Sequence, residues 1–400
     1  MKISKKVREN ENSYFITPSY SAWLDDLFAY PLRNHGDLNR FPKLFWNVRL
    51  RRPPYRRNGH LGQEKIMTWQ EDMRTALKSA EDLKHFFDCE ISTTPYSIFI
   101  PRTFAEKIKK GGYKSPLWKQ FIPQKEENSP EGLLDPLGDK IYLKAPQIIH
   151  RYKNRALFLP TTICPVICRY CFRKNELSFS QDLFLPKFNE TLDYLRNNPQ
   201  IEELIFSGGD PLILSDEKLS YYLCEFEKIP SLKFIRLHTR TPIILPSRIT
   251  DNLIAVLKNN SFKKVTVAIH VNHSDELDTE VREAILKMEG LNLLSQTVLL
   301  KGVNDDSKIL KDLIQNLISL NIRPYYLHHP DKVKGGMNYY LEIEEGRKIY
   351  QTLRDEIPGW AIFNYVVDVP GGKGKSPAFN PESFVFSGNL MGKDGNLYPY

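Results

Sequence analysis

Three cysteines lie close together in the sequence, in the order Cys164-x-x-x-Cys168-x-x-Cys171. Thiolates at this spacing on one loop can hold three irons of a [4Fe–4S] cluster and leave the fourth iron open to a chelating ligand. Structural zinc usually takes four ligands in two pairs, and no fourth cysteine lies nearby. Three buried apolar cysteines are a poor interpretation, because Arg169 and Arg173 flank them. The spacing therefore favours an iron–sulfur cluster.

A glycine-rich run, Ser207-Gly208-Gly209-Asp210-Pro211, follows the next predicted strand. Two glycines let a backbone approach a ligand, and free peptide groups together with Asp210 can bind an ammonium. On its own the run indicates only a turn. Its position one strand after the cysteines favours a ligand-binding loop.

The elements that must position these loops are short apolar segments alternating with amphipathic helical patterns. Helices are predicted around Ile309–Ile318 and Glu342–Arg354. The predicted strands are Ala156–Leu159, Glu203–Phe206, Phe234–Leu237, Val265–Ile269, Gln296–Leu300 and Arg323–Leu327. Repeated strand–helix pairs imply right-handed βαβ units. We therefore expect an α/β fold, a partial (β/α)6 parallel barrel whose wide mouth lies at the carboxyl ends of the strands.

Three regions are predicted along the chain. Residues 1–145 form a mostly helical N-terminal region, with one helical segment expected over Thr68–Phe87. Residues 146–356 form the barrel. Residues 357–400 form a short C-terminal segment, with an apolar run over Ala361–Val367 and a glycine-rich loop over Pro370–Lys375.

Composition places broad limits on the protein. Of 400 residues, 41% are hydrophobic and 26% charged, which excludes wholesale disorder. The charge of +8, from 56 Lys and Arg against 48 Asp and Glu, permits an anionic ligand and does not demand one. No apolar run approaches the roughly 20 residues of a membrane helix, and no secretory signal pattern follows the basic N-terminus. A cytoplasmic protein without a membrane partner is expected, and its five cysteines are not read as a disulfide framework.

The motifs together resemble a known family. The cysteine motif with Tyr170, and the glycine run after it, resemble the radical S-adenosylmethionine superfamily. Over about residues 140 to 377 the sequence is similar to the lysine 2,3-aminomutase family. The similar runs are the cysteine loop, His150-Arg151-Tyr152, Arg240–Pro246, Leu299–Asp305 and Arg323–Tyr326. The resemblance implies contacts with S-adenosylmethionine from Tyr170, Gly208, Gly209, Asp210, Thr239, His270 and Gln296.

The same resemblance implies pyridoxal 5′-phosphate as a second cofactor. The family attaches it to a lysine in a Pro-Gly-Gly-x-Gly-Lys loop, which here is Lys375, with Lys373 as the rival two residues earlier. An amine on a flexible glycine loop can reach into a barrel mouth. By the same register, Arg151, Tyr152 and Arg155 would hold the phosphate, through charge-assisted hydrogen bonds from the arginines.

The resemblance also implies a substrate pocket. Arg173 matches the residue that grips the substrate α-carboxylate, and a planar guanidinium suits that group. Asp331 and Asp368 match two residues that face the distal ammonium of lysine. Arginine remains an alternative, because the same pair could hold a guanidinium. The best-known family members bind a structural zinc through further C-terminal cysteines. This chain has no cysteine after Cys224, so no zinc is expected.

The leading functional hypothesis is an aminomutase that converts L-lysine to L-β-lysine (3,6-diaminohexanoate). The alternatives are an enzyme making β-lysine for elongation factor P, and an arginine or glutamate 2,3-aminomutase. An electron donor such as flavodoxin or ferredoxin and a homo-oligomer are also expected. A non-enzyme alternative, a nucleic-acid-binding protein, rests on Arg49–Arg57, although a solvated arm is the better interpretation of that stretch.

Overall fold

The computed structural model describes residues 68–179, 187–379, 389–391 and 397–399. The basic stretch Arg49–Arg57 lies outside these residues. Ten strands form one sheet, and they lie side by side in the order of the sequence. Their bounds are β1 Leu143–Ala145, β2 Ile148–Tyr152, β3 Arg155–Phe158, β4 Glu203–Phe206, β5 Phe234–Thr239, β6 Lys264–His270, β7 Asn292–Val298, β8 Arg323–His328, β9 Asn364–Val369 and β10 Gly374–Pro377. A separate antiparallel pair consists of β11 Asn389–Met391 and β12 Leu397–Pro399.

Strands β3 to β9 all run parallel to their neighbours, as a partial barrel requires. Six of them correspond to the six predicted strands, and β9 adds a seventh from the C-terminal segment. Antiparallel strands extend both sides of the sheet, β1 and β2 before β3, and β10 after β9. The sheet therefore includes residues from all three predicted regions, and the expected boundary at residues 145 and 146 falls between two paired strands.

In the described part of the chain, four helices precede β1, and one or two helices follow each of the parallel strands from β3 to β8. Their bounds are α1 Trp69–Arg74, α2 Ala80–Phe87, α3 Arg102–Gly111, α4 Pro116–Phe121, α5 Lys174–Phe179, α6 Phe188–Arg196, α7 Asp216–Glu227, α8 Thr241–Ile244, α9 Asp251–Lys258, α10 Thr279–Lys287, α11 Ser307–Ser319 and α12 Ile343–Glu356. No helix among the described residues is long and apolar enough to cross a membrane.

The predicted helix over Thr68–Phe87 is wrong in one respect, because two helices occupy that segment. Thr68 begins α1 and Ser79 begins α2, each with a capping box that includes an acidic residue three positions later. A cap of this kind starts a new helix, since its side chain satisfies backbone N–H groups that would otherwise lack partners. Leu77, between the helices, instead pairs with Ile100 through backbone hydrogen bonds of 2.8 and 3.0 Å.

The predicted strand Gln296–Leu300 is also displaced, since β7 spans Asn292–Val298. Its polar residues Ser295, Gln296 and Thr297 hide the strand from a search for apolar runs. Leu299 and Leu300 are fully buried, but they lie after the strand. The apolar residues Leu299 and Leu300 were therefore a sign of burial and not of strand structure.

The two faces of the parallel strands have different tasks. On one face Phe158 and Phe206 pack against each other and against Phe226 of α7, with ring centroids 5.1 to 5.7 Å apart. On the other face every second residue lines a cavity. Side chains of a strand alternate between the faces of a sheet, so this arrangement follows from the strand geometry. The cavity-lining residues of the central strands are Arg236 and His238 in β5, Thr266, Ala268 and His270 in β6, and Leu294, Gln296 and Val298 in β7.

Candidate active site

One cavity of about 610 Å³ gathers all the site residues predicted from the sequence. They come from the loops after β3 and β4, from β2, β3, β5, β6 and β7, and from the segments after β8 and in β9 and β10. Residues far apart in the chain therefore meet in this cavity, and the loops after β3, β4 and β8 reach it from the carboxyl ends of parallel strands, where barrel enzymes carry their functional loops. The predicted residues lining it are Cys164, Cys168, Cys171, Tyr170, Gly208, Gly209, Asp210, Thr239, His270, Gln296, Arg151, Tyr152, Arg155, Lys375, Arg173, Asp331 and Asp368.

The cysteine loop connects β3 to α5. The Cys171 N–H donates to the Cys168 carbonyl at 3.2 Å, which bends the loop so that its thiols line the cavity. Burial raises the pKa of all three thiols, that of Cys171 to about 12. Thiolates in this position need a cationic partner, and iron ions supply one. Among the described residues, no three His, Cys, Asp or Glu side chains are grouped as ligands of a single metal ion.

A buried ion pair between Arg169 and Glu127 holds this loop in place. The Arg169 guanidinium donates to both oxygens of Glu127, at 2.8 Å from Nε, and to the Ser97 carbonyl at 2.8 Å. Lys174 donates to the carbonyls of Arg169 and Gly335 at 2.7 and 2.6 Å. Burial lowers the pKa of Lys174 to about 8. The basic residues flanking the cysteines thus fix the loop instead of facing solvent.

Arg240 connects the cysteine loop to two further elements. Its guanidinium donates to the Cys168 sulfur at 3.5 Å and to the Tyr170 hydroxyl. It also donates to Glu276 at 2.6 Å. The Tyr170 hydroxyl receives a second hydrogen bond from Asn272 at 2.7 Å, so Tyr170 is held against the cavity wall.

The glycine run packs directly against the cysteine loop and forms hydrogen bonds with it. A Cβ at Gly209 would lie 2.6 Å from the Ile163 carbonyl carbon and 2.7 Å from the Ile163 nitrogen. The Gly209 N–H donates to Thr161 and the Asp210 N–H to Ile163, both at 2.8 Å. The close backbone approach expected for a ligand is therefore made, at Gly209, by the chain itself. Gly208 has a φ of 100°, in the region that favours glycine.

Asp210 is fully engaged by its own chain. One carboxylate oxygen accepts from the Leu212 N–H at 3.0 Å and the Thr239 hydroxyl at 2.7 Å. The other accepts from the N–H groups of Arg240 and Thr241 at 2.6 and 3.0 Å. Four donors use the lone pairs of a carboxylate. Asp210 therefore joins the glycine run to the end of β5, and the expectation that it binds an ammonium directly does not fit this geometry.

The remaining predicted cofactor contacts lie on neighbouring strands. Gln296 Nε2 lies 2.9 Å from His238 Nε2, and His270 Nε2 lies 3.3 Å from the Tyr170 hydroxyl. Burial lowers the pKa of both histidines well below the ordinary value. Both imidazoles are therefore neutral hydrogen-bonding groups in the cavity wall.

Lys375 of β10 contacts Tyr152 of β2, although the two strands lie near opposite ends of the strand order. The Lys375 backbone N–H donates to the Tyr152 hydroxyl at 2.8 Å, and the Arg155 guanidinium stacks on the Tyr152 ring at 3.8 Å from its centroid. The Lys375 amine donates to Asp368 at 2.6 Å. The exposed turn residue Lys373 is absent from the cavity lining, which favours Lys375 over its rival.

Asp368 and Asp331 have opposite tendencies to ionise. Burial alone would raise the pKa of Asp368, but His328 and Lys375 outweigh it and hold that pKa below its usual range. The His328 Nδ1 is 3.8 Å from Asp368, beyond hydrogen-bond length, so the direct partner is Lys375. Burial and the Asp368 charge raise the pKa of Asp331 to about 7. One charged and one readily protonated carboxyl thus face the cavity.

Arg173 and Arg151 share a carboxylate that the sequence did not suggest. Asp139 Oδ2 accepts from Arg173 Nη2 at 2.7 Å and Nε at 3.1 Å, and Asp139 Oδ1 accepts from Arg151 Nη2 at 2.9 Å. Sequence reasoning missed Asp139 because it carries no motif. His328 and Arg240 were also missed as site residues. Arg240 begins a run quoted for the family resemblance, where it could have been found, whereas His328 lies two residues beyond the run Arg323–Tyr326.

Comparisons with known proteins identify the family of this chain. Residues 158–313 match the family described as Radical SAM superfamily, whose members use a [4Fe–4S] cluster and S-adenosylmethionine. The L-lysine 2,3-aminomutase of Haemophilus influenzae is 38% identical over 332 residues, which cover 79% of this chain and 98% of the relative.

Two further relatives carry the same name. The L-lysine 2,3-aminomutase of Escherichia coli is 34% identical over 70% of this chain and 83% of its own length. That of Clostridium subterminale is 32% identical over 77% of each chain. Identity and coverage at this level, together with the gathered site, mean that this chain is an isomerase belonging to the lysine 2,3-aminomutase family of radical S-adenosylmethionine enzymes.

Proposed function

We propose that this enzyme converts L-lysine to L-β-lysine by moving the amino group from C2 to C3, using a [4Fe–4S] cluster, S-adenosylmethionine and pyridoxal 5′-phosphate. The observation that carries the proposal is the charge arrangement of one cavity. The cavity is lined by the guanidinium of Arg173, by the carboxyls of Asp331 and Asp368, and by Lys375, whose amine is carried on a glycine loop. L-lysine has the complementary groups, a carboxylate and a distal ammonium.

The cysteine end of the cavity would hold the cluster and the adenosylmethionine. When bound, these two groups supply a carbon radical that can take a hydrogen atom from the substrate. The chain contributes three thiols on a loop fixed by Arg169 and Glu127. It also contributes the ordered peptide groups of the glycine run. In this assignment Asp210 positions that run, because its own oxygens already accept four hydrogen bonds.

The other end would hold pyridoxal phosphate, which supplies a ring able to delocalise an unpaired electron. The residues present fit such a group. Arg151 Nε is a buried donor for which the described structure provides no acceptor, and a phosphate oxygen would satisfy it. Arg155, stacked on Tyr152, supplies a second guanidinium. Lys375 is the amine for covalent attachment.

Substrate choice follows from the same charges. A distal carboxylate, as in glutamate, would face Asp331 and Asp368 and be repelled, whereas the ammonium of lysine would be paired. A buried charge without a partner costs several kcal/mol. Arginine also carries a distal cation, but its planar guanidinium is larger than an ammonium and presents a different donor pattern. These arguments favour lysine.

Borohydride reduction of the protein loaded with pyridoxal phosphate, followed by peptide mapping, tests the cofactor assignment. The label is expected on Lys375, and Lys373→Ala is the matched control that should retain it. A label on Lys373 would overturn the assignment.

Turnover of free L-lysine by Asp331→Asn and Asp368→Asn, under anaerobic conditions with a chemical reductant, tests substrate recognition. Each variant should lose about 10²-fold or more in kcat/KM while keeping its iron and pyridoxal phosphate. Glu131→Gln gives the control, because Glu131 is exposed and is not among the residues that line the cavity. Unchanged turnover in either aspartate variant would contradict the assignment.

A further inference from the structure

We propose that Asp139 is a positioning residue that fixes Arg173 and Arg151 in one arrangement and so joins the carboxylate and phosphate subsites. The inference rests on the proposed function, which assigns these arginines to the substrate and to pyridoxal phosphate. Asp139 itself would not contact the reacting atoms. It would decide which guanidinium hydrogens remain available to them.

The contacts divide the Asp139 carboxylate between the two arginines. Oδ1 accepts from Arg151 at 2.9 Å, and Oδ2 accepts two hydrogen bonds from Arg173, at 2.7 and 3.1 Å. All three side chains are largely withdrawn from solvent, with exposed fractions of 5% for Asp139, 5% for Arg173 and 12% for Arg151. Hydrogen bonds between ionised groups in such surroundings are strong and directional.

Counting donors shows what Asp139 leaves free on Arg173. A guanidinium has five N–H hydrogens. Asp139 takes one from Nε and one from Nη2, and the Ser207 hydroxyl takes one from Nη1 at 3.1 Å. One hydrogen on each terminal nitrogen remains. Two such hydrogens form the fork that binds a carboxylate through both oxygens, so Asp139 holds Arg173 in a state prepared for the substrate.

The same count on Arg151 leaves donors for a second anion. Nη2 donates to the Leu137 carbonyl at 2.7 Å and to Asp139, which uses both of its hydrogens. The buried Nε has no acceptor among the described residues. Two guanidiniums around a single carboxylate also leave a net positive charge. The group as a whole therefore favours a further anion at each arginine.

The position of Asp139 depends on the loops that carry the other site residues. Its N–H donates to the Asp135 side chain at 3.0 Å, which fixes the turn. Gly138, with a φ of 64°, lies against the loop of Lys375, because a Cβ there would be 2.9 Å from the Gly372 nitrogen. Upstream, the Lys334 N–H donates to the Leu133 carbonyl at 2.9 Å, three residues after Asp331 in the chain. The segment 133–139 therefore contacts both the loop that carries Asp331 and the loop that carries Lys375.

The test compares Asp139→Asn with Glu131→Gln in the full-length enzyme. Asparagine has one acceptor oxygen, and its NH2 group would oppose an arginine donor, so one arginine loses its anchor. We expect KM for lysine and the Kd for pyridoxal phosphate, titrated optically with apoprotein, to rise by about 10- to 100-fold. Iron content, Tm and binding of S-adenosylmethionine should match wild type, and Glu131→Gln should match in every respect.

Two results would overturn the proposal. One is an Asp139→Asn enzyme with wild-type KM and wild-type affinity for pyridoxal phosphate. The other is a rise in both constants that is accompanied by a fall in iron content and Tm, which would indicate a purely structural role. If the asparagine variant does not fold, Asp139→Glu replaces it. That variant keeps the charge but displaces it by one methylene, and it should still raise KM by about tenfold.

The pyridoxal phosphate titration separates this inference from the proposed function. If wild type does not turn over lysine, the substrate assignment fails, whereas weaker binding of pyridoxal phosphate to Asp139→Asn would still support the positioning role.

Discussion

The amine of Lys375 lies 2.6 Å from the carboxylate of Asp368, so the proposed cofactor lysine is paired with a proposed substrate-binding aspartate. In the chain by itself, Lys375 occupies the place that the distal ammonium of lysine would take. Asp139 pairs with Arg173 in a comparable way in the same cavity lining. Under the proposed function, cofactor attachment and substrate recognition would be linked, because the charge on Lys375 must leave Asp368 before another cation can pair with that carboxylate.

This link predicts the behaviour of Lys375→Met in protein without pyridoxal phosphate. Methionine has a similar length and no charge, so Asp368 is released. We expect calorimetry to show L-lysine binding about tenfold tighter than in wild-type apoprotein, because an opposing charge has been removed from the site. Lys373→Met, a change in an exposed residue of the same loop, should bind as wild type does. Equal or weaker binding by Lys375→Met would refute the link.

A dependence on pH follows from Asp331. Burial and the charge of Asp368 raise its pKa to about 7, with Lys375 and Arg151 opposing them and Asp139 adding to the shift. The carboxyl is therefore neutral below that pH and charged above it. Only the charged form pairs with an ammonium, so kcat/KM for lysine should rise between about pH 6 and 8. Asp331→Asn should lose this rise, and a flat profile in wild type would contradict the assignment.

Gly209 provides a test of the contact between two loops. An alanine Cβ would lie 2.6 Å from the Ile163 carbonyl carbon, so Gly209→Ala must displace the cysteine loop. We expect a loss of stability of about 1–3 kcal/mol in denaturant unfolding and iron binding well below wild type. Gly359→Ala is the control, because a Cβ there meets nothing within 4 Å. Full iron content in Gly209→Ala would show that the loops do not need this approach.

The cysteine assignment has its own test in iron and sulfide analysis. Anaerobically reconstituted wild type should bind about four irons and four sulfides per chain. Replacing Cys164, Cys168 or Cys171 with Ala should abolish the visible absorbance and the cleavage of S-adenosylmethionine. Cys224→Ala, at an exposed position of α7, should behave as wild type. Full iron content after replacement of all three loop cysteines would exclude them as ligands.

Local patterns explain what could be predicted from the sequence. The cysteine spacing, the glycine run and the apolar strands each depend on neighbouring residues, and the structure brings these motifs to one cavity. The strand β7 was misplaced because polar residues that face the cavity interrupt its apolar pattern. A strand lining a polar site cannot look like a strand buried on both faces.

Contacts between distant residues explain what could not be predicted. Asp139 precedes Arg173 by 34 positions and belongs to no motif, so only the folded chain reveals their contact. The role of Asp210 depended on donors from Thr239, Arg240 and Thr241 at the end of another strand. The close approach expected at Gly209 was toward a ligand, whereas the group that lies against Gly209 in the folded chain is Ile163 of the cysteine loop.

The most direct test of the proposed reaction is an anaerobic competition assay. The enzyme, loaded with iron, sulfide and pyridoxal phosphate, is given S-adenosylmethionine, dithionite and an equimolar mixture of L-lysine, L-arginine and L-glutamate. Mass spectrometry then measures the three β-amino acids at early times. Because Asp331, Asp368 and Arg173 all line the cavity, β-lysine should exceed each of the other products by about 10²-fold. More β-glutamate or β-arginine than β-lysine would contradict the lysine assignment.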